Sequence, residues 1–255
     1  MLRSMCTVVL RLTSDGGSLL LGIRDEFLGR PWLPPAAHWQ CPAGQPAPTD
    51  PPGSPLIGGL DEQAGGTWLA VHPGERRVAC VLNGRGTLAP AATRRSRGDL
   101  PLRAASGEQV TSFGDYDPFH LVCADSSGGW VLSWDGEQSV RSALGAGTHL
   151  FTNAGYVYPS DDPDDKGAYF GPRFAAAPSL RDWAVLARGD GLATDDPRAI
   201  IVRRELPDGR VWGTSSVSMV QIGDAVRYEF GVPGEELAPV ISSSSTGASR
   251  RSSSK

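Results

Sequence analysis

The chain has 255 residues, 40% hydrophobic and 20% charged, with 24 basic against 28 acidic side chains for a net charge of −4. That balance excludes a general nucleic-acid binder, which carries a basic excess, and no apolar run approaches the roughly 20 residues of a membrane helix. Cys6, Cys41, Cys80 and Cys123 lie far apart with no Cys-x-x-Cys pair, so neither a zinc site nor a disulfide framework is expected. The start, Met1 to Leu12, lacks the uninterrupted apolar stretch of a secretory signal because Arg11 breaks it. A reducing cytoplasm is the expected location.

In chain order, Thr7–Leu12 and Leu19–Ile23 are apolar runs around the turn cluster Ser14 to Ser18, which predicts a hairpin. Pro31 to Pro55 is proline-rich and reads as a meandering loop, because proline lacks a ladder donor. Trp32, Leu33 and Trp39 are its anchors and should be buried. Thr67–Val71 and Arg77–Leu82 predict a second hairpin, and Phe119–Ala124 with Trp130–Trp134 a third. Thr148–Thr152, Ala199–Leu206, Val211–Ile222 and Ala225–Phe230 continue as strands.

Helices are predicted over Asp99–Ala105 and over Ser179–Arg188, where Ser179 and Asp182 have capping spacing and Gly189 stops the run. Asp161 to Asp165 reads as a solvated acidic loop. The serine-rich segment 241–255 is expected to be a disordered tail behind one domain over 1–240. Many antiparallel strands with few helices predict an α+β fold of packed sheets.

The hairpin register carries the first chemical inference. If the two strands pair, Arg24 and Asp25 fall beside Cys6. A guanidinium beside a thiol favours the thiolate, starting from about 8.5. Met1 and Met5 offer two starts. A chain trimmed to Cys6 would carry a free α-amine of pKa about 7.7, a general base at neutral pH. The four histidines are scattered, with His120 and His149 flanking strands, and no metal site or cofactor is expected. Gly58-Gly59 and Gly65-Gly66 do not form a nucleotide fingerprint and are assigned to tight turns that bring Asp61 and Trp68 to a cleft.

Read together, the segments Cys6, Arg24-Asp25-Glu26, Arg30-Pro31, Gly58-Gly59-Leu60-Asp61, Gly65-Gly66-Thr67-Trp68-Leu69, Val81-Leu82-Asn83, Arg97-Gly98-Asp99-Leu100 and Gly213-Thr214-Ser215-Ser216 occur in the order of one known family. In these the chain resembles the NRDE family, also called the transport and Golgi organisation 2 family. It departs at Ile23, where the family has Asn, and at Ser215, where it has Arg.

The resemblance implies a four-layer αββα sandwich of antiparallel sheets, like that of N-terminal nucleophile hydrolases. It also implies a catalytic set of Cys6, Arg24, Asp25, Asn83 and Asn153, with Glu26 an alternative acid, and substrate contacts at Asp61, Trp68, Thr214 and Ser215. The implied activity is an amidohydrolase acting on a small molecule. The alternative is a non-catalytic carrier of haem or acyl lipid, including acyl-CoA, in the same cleft.

Overall fold

Strand residues alternate between faces, so a strand apolar on both faces needs a layer on each side. The run Thr7-Val8-Val9-Leu10 is buried throughout, and its two faces enter different cores. Val8 and Leu10 pack with Leu20, Leu69, Val78, Leu82 and Val122. Val9 packs with Leu21, Met219, Phe170, Phe174 and Trp183.

The computed structural model describes residues 6–39 and 55–242. The strands are β1 (Thr7–Leu12), β2 (Ser18–Phe27), β3 (Trp32–Ala36), β4 (Ile57–Asp61), β5 (Leu69–His72), β6 (Arg77–Asn83), β7 (Phe119–Asp125) and β8 (Gly128–Trp134). They continue as β9 (Ser139–Leu144), β10 (Gly147–Thr152), β11 (Gly155–Tyr158), β12 (Arg203–Glu205), β13 (Val211–Ile222), β14 (Val226–Gly231) and β15 (Ala238–Ile241). The helices are α1 (Leu100–Ala105), entered through a 3-10 turn at Arg97–Asp99, α2 (Asp165–Ala176) and α3 (Leu180–Leu186).

One sheet runs β11-β10-β1-β2-β13-β14-β15, with β12 added on β13, and the other runs β3 to β9 in sequence order. The strand pairs within both sheets are antiparallel. The sheets face each other across the core that holds Leu10 and Val122. Helices α2 and α3 cover the outer face of the first sheet. Leu100 and Ala104 of α1 cover the second, against Ala79 and Leu121. The layers are therefore α, β, β, α, as the resemblance implies. Among the described residues, no helix is long and apolar enough to cross a membrane.

Five expectations change. The predicted loop after Pro31 contains β3, an edge strand in which Pro34 and Pro35 fall at a register shift, where no ladder donor is needed. Leu33 there is 38% exposed rather than buried. Gly58-Gly59 lies in β4, not a turn. The acidic loop is a helix start: the Asp164 side chain accepts from the Gly167 N–H at 2.7 Å and caps α2. The α2 sequence carries Gly167, Gly171 and Pro172, which hid it. A Cβ at Gly167 or Gly171 would overlap Val157 or Tyr158, so these glycines allow close helix–strand approach. Finally, the predicted strand over Ala199–Leu206 is reduced to the short β12. The question of Met1 against Met5, and nearly all of the predicted tail, lie outside the described residues.

Candidate active site

The β1–β2 hairpin turns through Thr13 to Gly17, where the Thr13 N–H donates to the Gly17 carbonyl at 2.9 Å. Thr7 pairs with Ile23, so Cys6 stands opposite Arg24. The Asp25 N–H donates to Cys6 Sγ at 3.3 Å, and the thiol donates to the Asp25 carbonyl at 3.4 Å. Alternation along β2 then sends neighbouring side chains to opposite faces.

Arg24 turns toward the second sheet. It is 6% exposed, donates to Asp61 Oδ2 at 3.0 Å and lies over the Trp68 ring at 4.6 Å. Asp61, at the end of β4, also takes a two-pronged contact from Arg30 at 2.7 and 3.1 Å and accepts from the Gln63 and Ala64 N–H groups. Burial opposes ionisation of Asp61, but the Arg30 and Ala64 hydrogen bonds and the two guanidinium charges outweigh it and hold its carboxyl below the usual range.

Asp25 is fixed from the other side, by β13. That strand shifts register between Thr214 and Ser216, leaving Ser215 as the extra residue beside Arg24. Thr214 Oγ1 donates to Asp25 Oδ1 at 2.7 Å and accepts from the Val202 N–H at 3.0 Å. Ser215 Oγ accepts from Arg24 Nη1 at 3.0 Å and donates to the Arg24 carbonyl at 3.1 Å. Both were expected at the substrate. Both are buried, outside the lining of the cavity in front of Cys6, with Thr214 bonded to Asp25 and Ser215 to Arg24.

A cavity of about 880 Å³ opens in front of Cys6, lined by Arg24, Asp25, Asp61, Trp68, Val81 and Asn83 among others. Six predicted residues are thus brought together. Asn83 ends β6 and is exposed there. Asn153 follows Thr152, which pairs with Thr7, so continuing the register sets it opposite Cys6. It stands outside the cavity lining, and its Oδ1 is buried without a hydrogen-bond partner among the described residues.

The expected thiolate is not what this environment favours. Burial pushes the Cys6 thiol up, Asp25 adds to the shift, and Arg24 with the backbone bond only partly offsets it, leaving the thiol at about 12. His120 and His149 are engaged elsewhere, with Ser133 and with Tyr156 and Gly145 respectively.

The residue that sequence reasoning missed is Lys166, on α2. It is 5% exposed and donates to Thr7 Oγ1 at 3.1 Å. Burial disfavours its ammonium, against the attraction of Asp25 and Cys6. The signal was the Asp164 cap with Phe170 and Phe174 one turn apart, which together mark α2.

The glycine pairs serve packing around this cavity. A Cβ on Gly59 would overlap the Trp68 ring, and one on Gly66 would overlap the Gly98 backbone. Gly59→Ala is expected to cost about 1–3 kcal/mol by overpacking. A urea midpoint unchanged from wild type would show that Trp68 moves aside freely.

A family model described as Transport and Golgi organisation 2 matches residues 5–179. Among solved structures, a mutant conjugated bile acid hydrolase from Clostridium perfringens is similar at 10% identity and TM-score 0.49, covering 92% of each chain. Penicillin V acylase from Agrobacterium tumefaciens is similar at 13% identity and TM-score 0.47, covering 89% of this chain and 83% of that one. No curated protein sequence matches the chain. The family match runs through the Cys6 hairpin, the Asp61–Trp68 block and α2, more than half of the sequence, and the chain belongs to the Transport and Golgi organisation 2 family.

Proposed function

We propose that the protein is a cytoplasmic amidohydrolase of the N-terminal-nucleophile type, with Cys6 as nucleophile and a small-molecule amide as substrate. The observation that supports it most is the packing of Cys6 against Asp25, opposite Arg24, at the edge of a cavity large enough for a small ligand. Removal of the residues before Cys6 frees its α-amine, which takes the thiol proton. Sγ then attacks the amide carbonyl carbon, and the tetrahedral oxyanion is held by the side-chain amide of Asn83, which lines the cavity; Asn153, outside that lining, takes no part in this step. The C–N bond breaks, the amine leaves with the proton, and water hydrolyses the thioester to the acid and the free thiol. Arg24 stabilises the thiolate, and Asp25, fixed by Thr214, orients the terminal ammonium. In this reading a chain that keeps Met1 to Met5 is inactive, because its thiol, raised to about 12, stays protonated at neutral pH.

The test is release of p-nitroaniline from a series of N-acyl p-nitroanilides, with a chain beginning at Cys6, the full-length chain and Cys6→Ala. The trimmed chain should turn over at least one member, and Cys6→Ala should lose about a thousandfold or more. Turnover indifferent to Cys6→Ala would sink the reading, as would a trimmed chain silent across the series.

The raised Cys6 thiol supports one second reading, a carrier that binds acyl lipid or haem against Trp68 and Val81 without chemistry. It predicts equal ligand affinity in wild type and Cys6→Ala, with no turnover in either.

A further inference from the structure

We infer that Arg97 forms an anion-recognition subsite in the Cys6 cavity, so that the ligand carries a carboxylate or phosphate group. The inference deepens the reading above, resting on it for the shared cavity. The wall of that cavity holds five arginines. Four have acidic partners: Arg24 and Arg30 meet Asp61 at 3.0 and 2.7 Å, Arg94 meets Asp117 at 3.1 Å, and Arg95 meets Asp99 at 2.7 Å. Arg97 has no carboxylate at ion-pair distance among the described residues. Its Nη1 donates to the Pro118 carbonyl at 2.9 Å.

Asp117, the carboxylate acting most strongly on Arg97, is already engaged by Arg94 and by the Ala89 N–H. Cys6 and Glu26 also act on Arg97 at longer range, which sets it in the same electrostatic field as the nucleophile. A half-buried guanidinium with five donors and, among the described residues, one carbonyl partner is poorly compensated. An oxyanion entering the cavity would meet a desolvated, fork-shaped donor.

The position is also built. The 3-10 turn carrying Arg97 is capped by Ser96, whose Oγ accepts from the Gly98 N–H at 3.1 Å. The Thr67 N–H donates to the Gly98 carbonyl at 2.8 Å, and Gly66 and Gly98 touch so closely that a Cβ on Gly66 would collide with the Gly98 backbone and one on Gly98 would crowd that of Gly66. This contact ties Arg97 to the Asp61–Trp68 block beside Cys6. A rigid support of this kind is what a binding group requires.

The test measures calorimetric affinities of octanoate, octyl phosphate and the neutral octanamide for the full-length Cys6→Ala protein at low ionic strength. At least one anion should bind tenfold or more tighter than octanamide, and the stronger of the two identifies carboxylate or phosphate. Adding Arg97→Gln should bring the gap below twofold. Arg97→Lys should keep part of it, and Arg227→Gln, exposed and outside the cavity, should keep it whole. Anions binding no tighter than octanamide would overturn the subsite, as would a gap that survives in Arg97→Gln. The readout needs no turnover. A gap without any hydrolysis by the trimmed chain therefore counts against the enzyme alone, and hydrolysis without a gap counts against the subsite alone.

Discussion

Asp61→Ala is expected to destabilise the fold by about 3–5 kcal/mol, the range for removing one partner of a buried ion pair. Asp61 is the carboxylate that Arg24 meets at 3.0 Å, and Arg24 is 6% exposed. Without it, the Arg24 charge stays buried with Ser215 and the Trp68 face as its close contacts, and Glu26 at 3.9 Å is too distant for a hydrogen bond. The Gln63 and Ala64 N–H groups lose their acceptor in the same step. Arg30→Ala should cost much less, about 1 kcal/mol, because Arg30 is partly exposed and its removal leaves the Arg24–Asp61 pair intact. Urea unfolding of the two variants separates them. A loss below about 1 kcal/mol in Asp61→Ala would show that water reaches Arg24 and that the cluster is not a buried one.

The Arg24–Asp61 contact also shows which parts of the site were legible in the sequence. Hairpin register is local: a turn cluster between two apolar runs is enough to bring Cys6 to Arg24, and it did. Asp61 and Trp68 do line the cleft, but Gly58-Gly59 lies in a strand rather than the expected turn, because the reason for these glycines is tertiary. Gly59 is small since the Trp68 ring lies on it, and Gly66 since the Gly98 backbone does. The same ambiguity concealed α2. Gly167, Gly171 and Pro172 read as helix breakers until Val157 and Tyr158 are seen to press on the glycines, and with α2 went Lys166. The protonation of Cys6 was misjudged for a related reason. Sequence shows the charged neighbours of a thiol, whereas burial, the largest cause of its shift, exists only in the folded chain.

Burial of thiols has a second consequence, a loss of stability at alkaline pH. Cys80 is 4% exposed and Cys123 1% exposed, and burial raises both thiols, Cys123 to about 12. The folded state therefore holds protons that the unfolded chain releases above about 8.5. Unfolding then becomes more favourable as pH rises, so the contribution is complete below about 8.5 and is lost from there toward 12. Each fully ionised thiol contributes a slope of about 1.4 kcal/mol per pH unit. The buried Tyr228 hydroxyl, also raised by burial, adds to the loss above its ordinary value near 10. Lys166 works with the opposite sign, since burial lowers its pKa and its folded form sheds a proton before its unfolded form does. Cys6 is only half-buried by surface area and adds less. The net expectation between pH 9 and 11 is a loss of about 3–5 kcal/mol, a large part of the 5–15 kcal/mol typical of a folded protein. Urea unfolding under reducing conditions at half-unit pH steps measures it, and Cys123→Ala should flatten the slope by close to one proton. A stability constant to within about 1 kcal/mol across that window would mean that the thiols ionise as readily in the folded state as in the unfolded chain. The core between α1 and the second sheet, where Cys123 packs, would then be open to water.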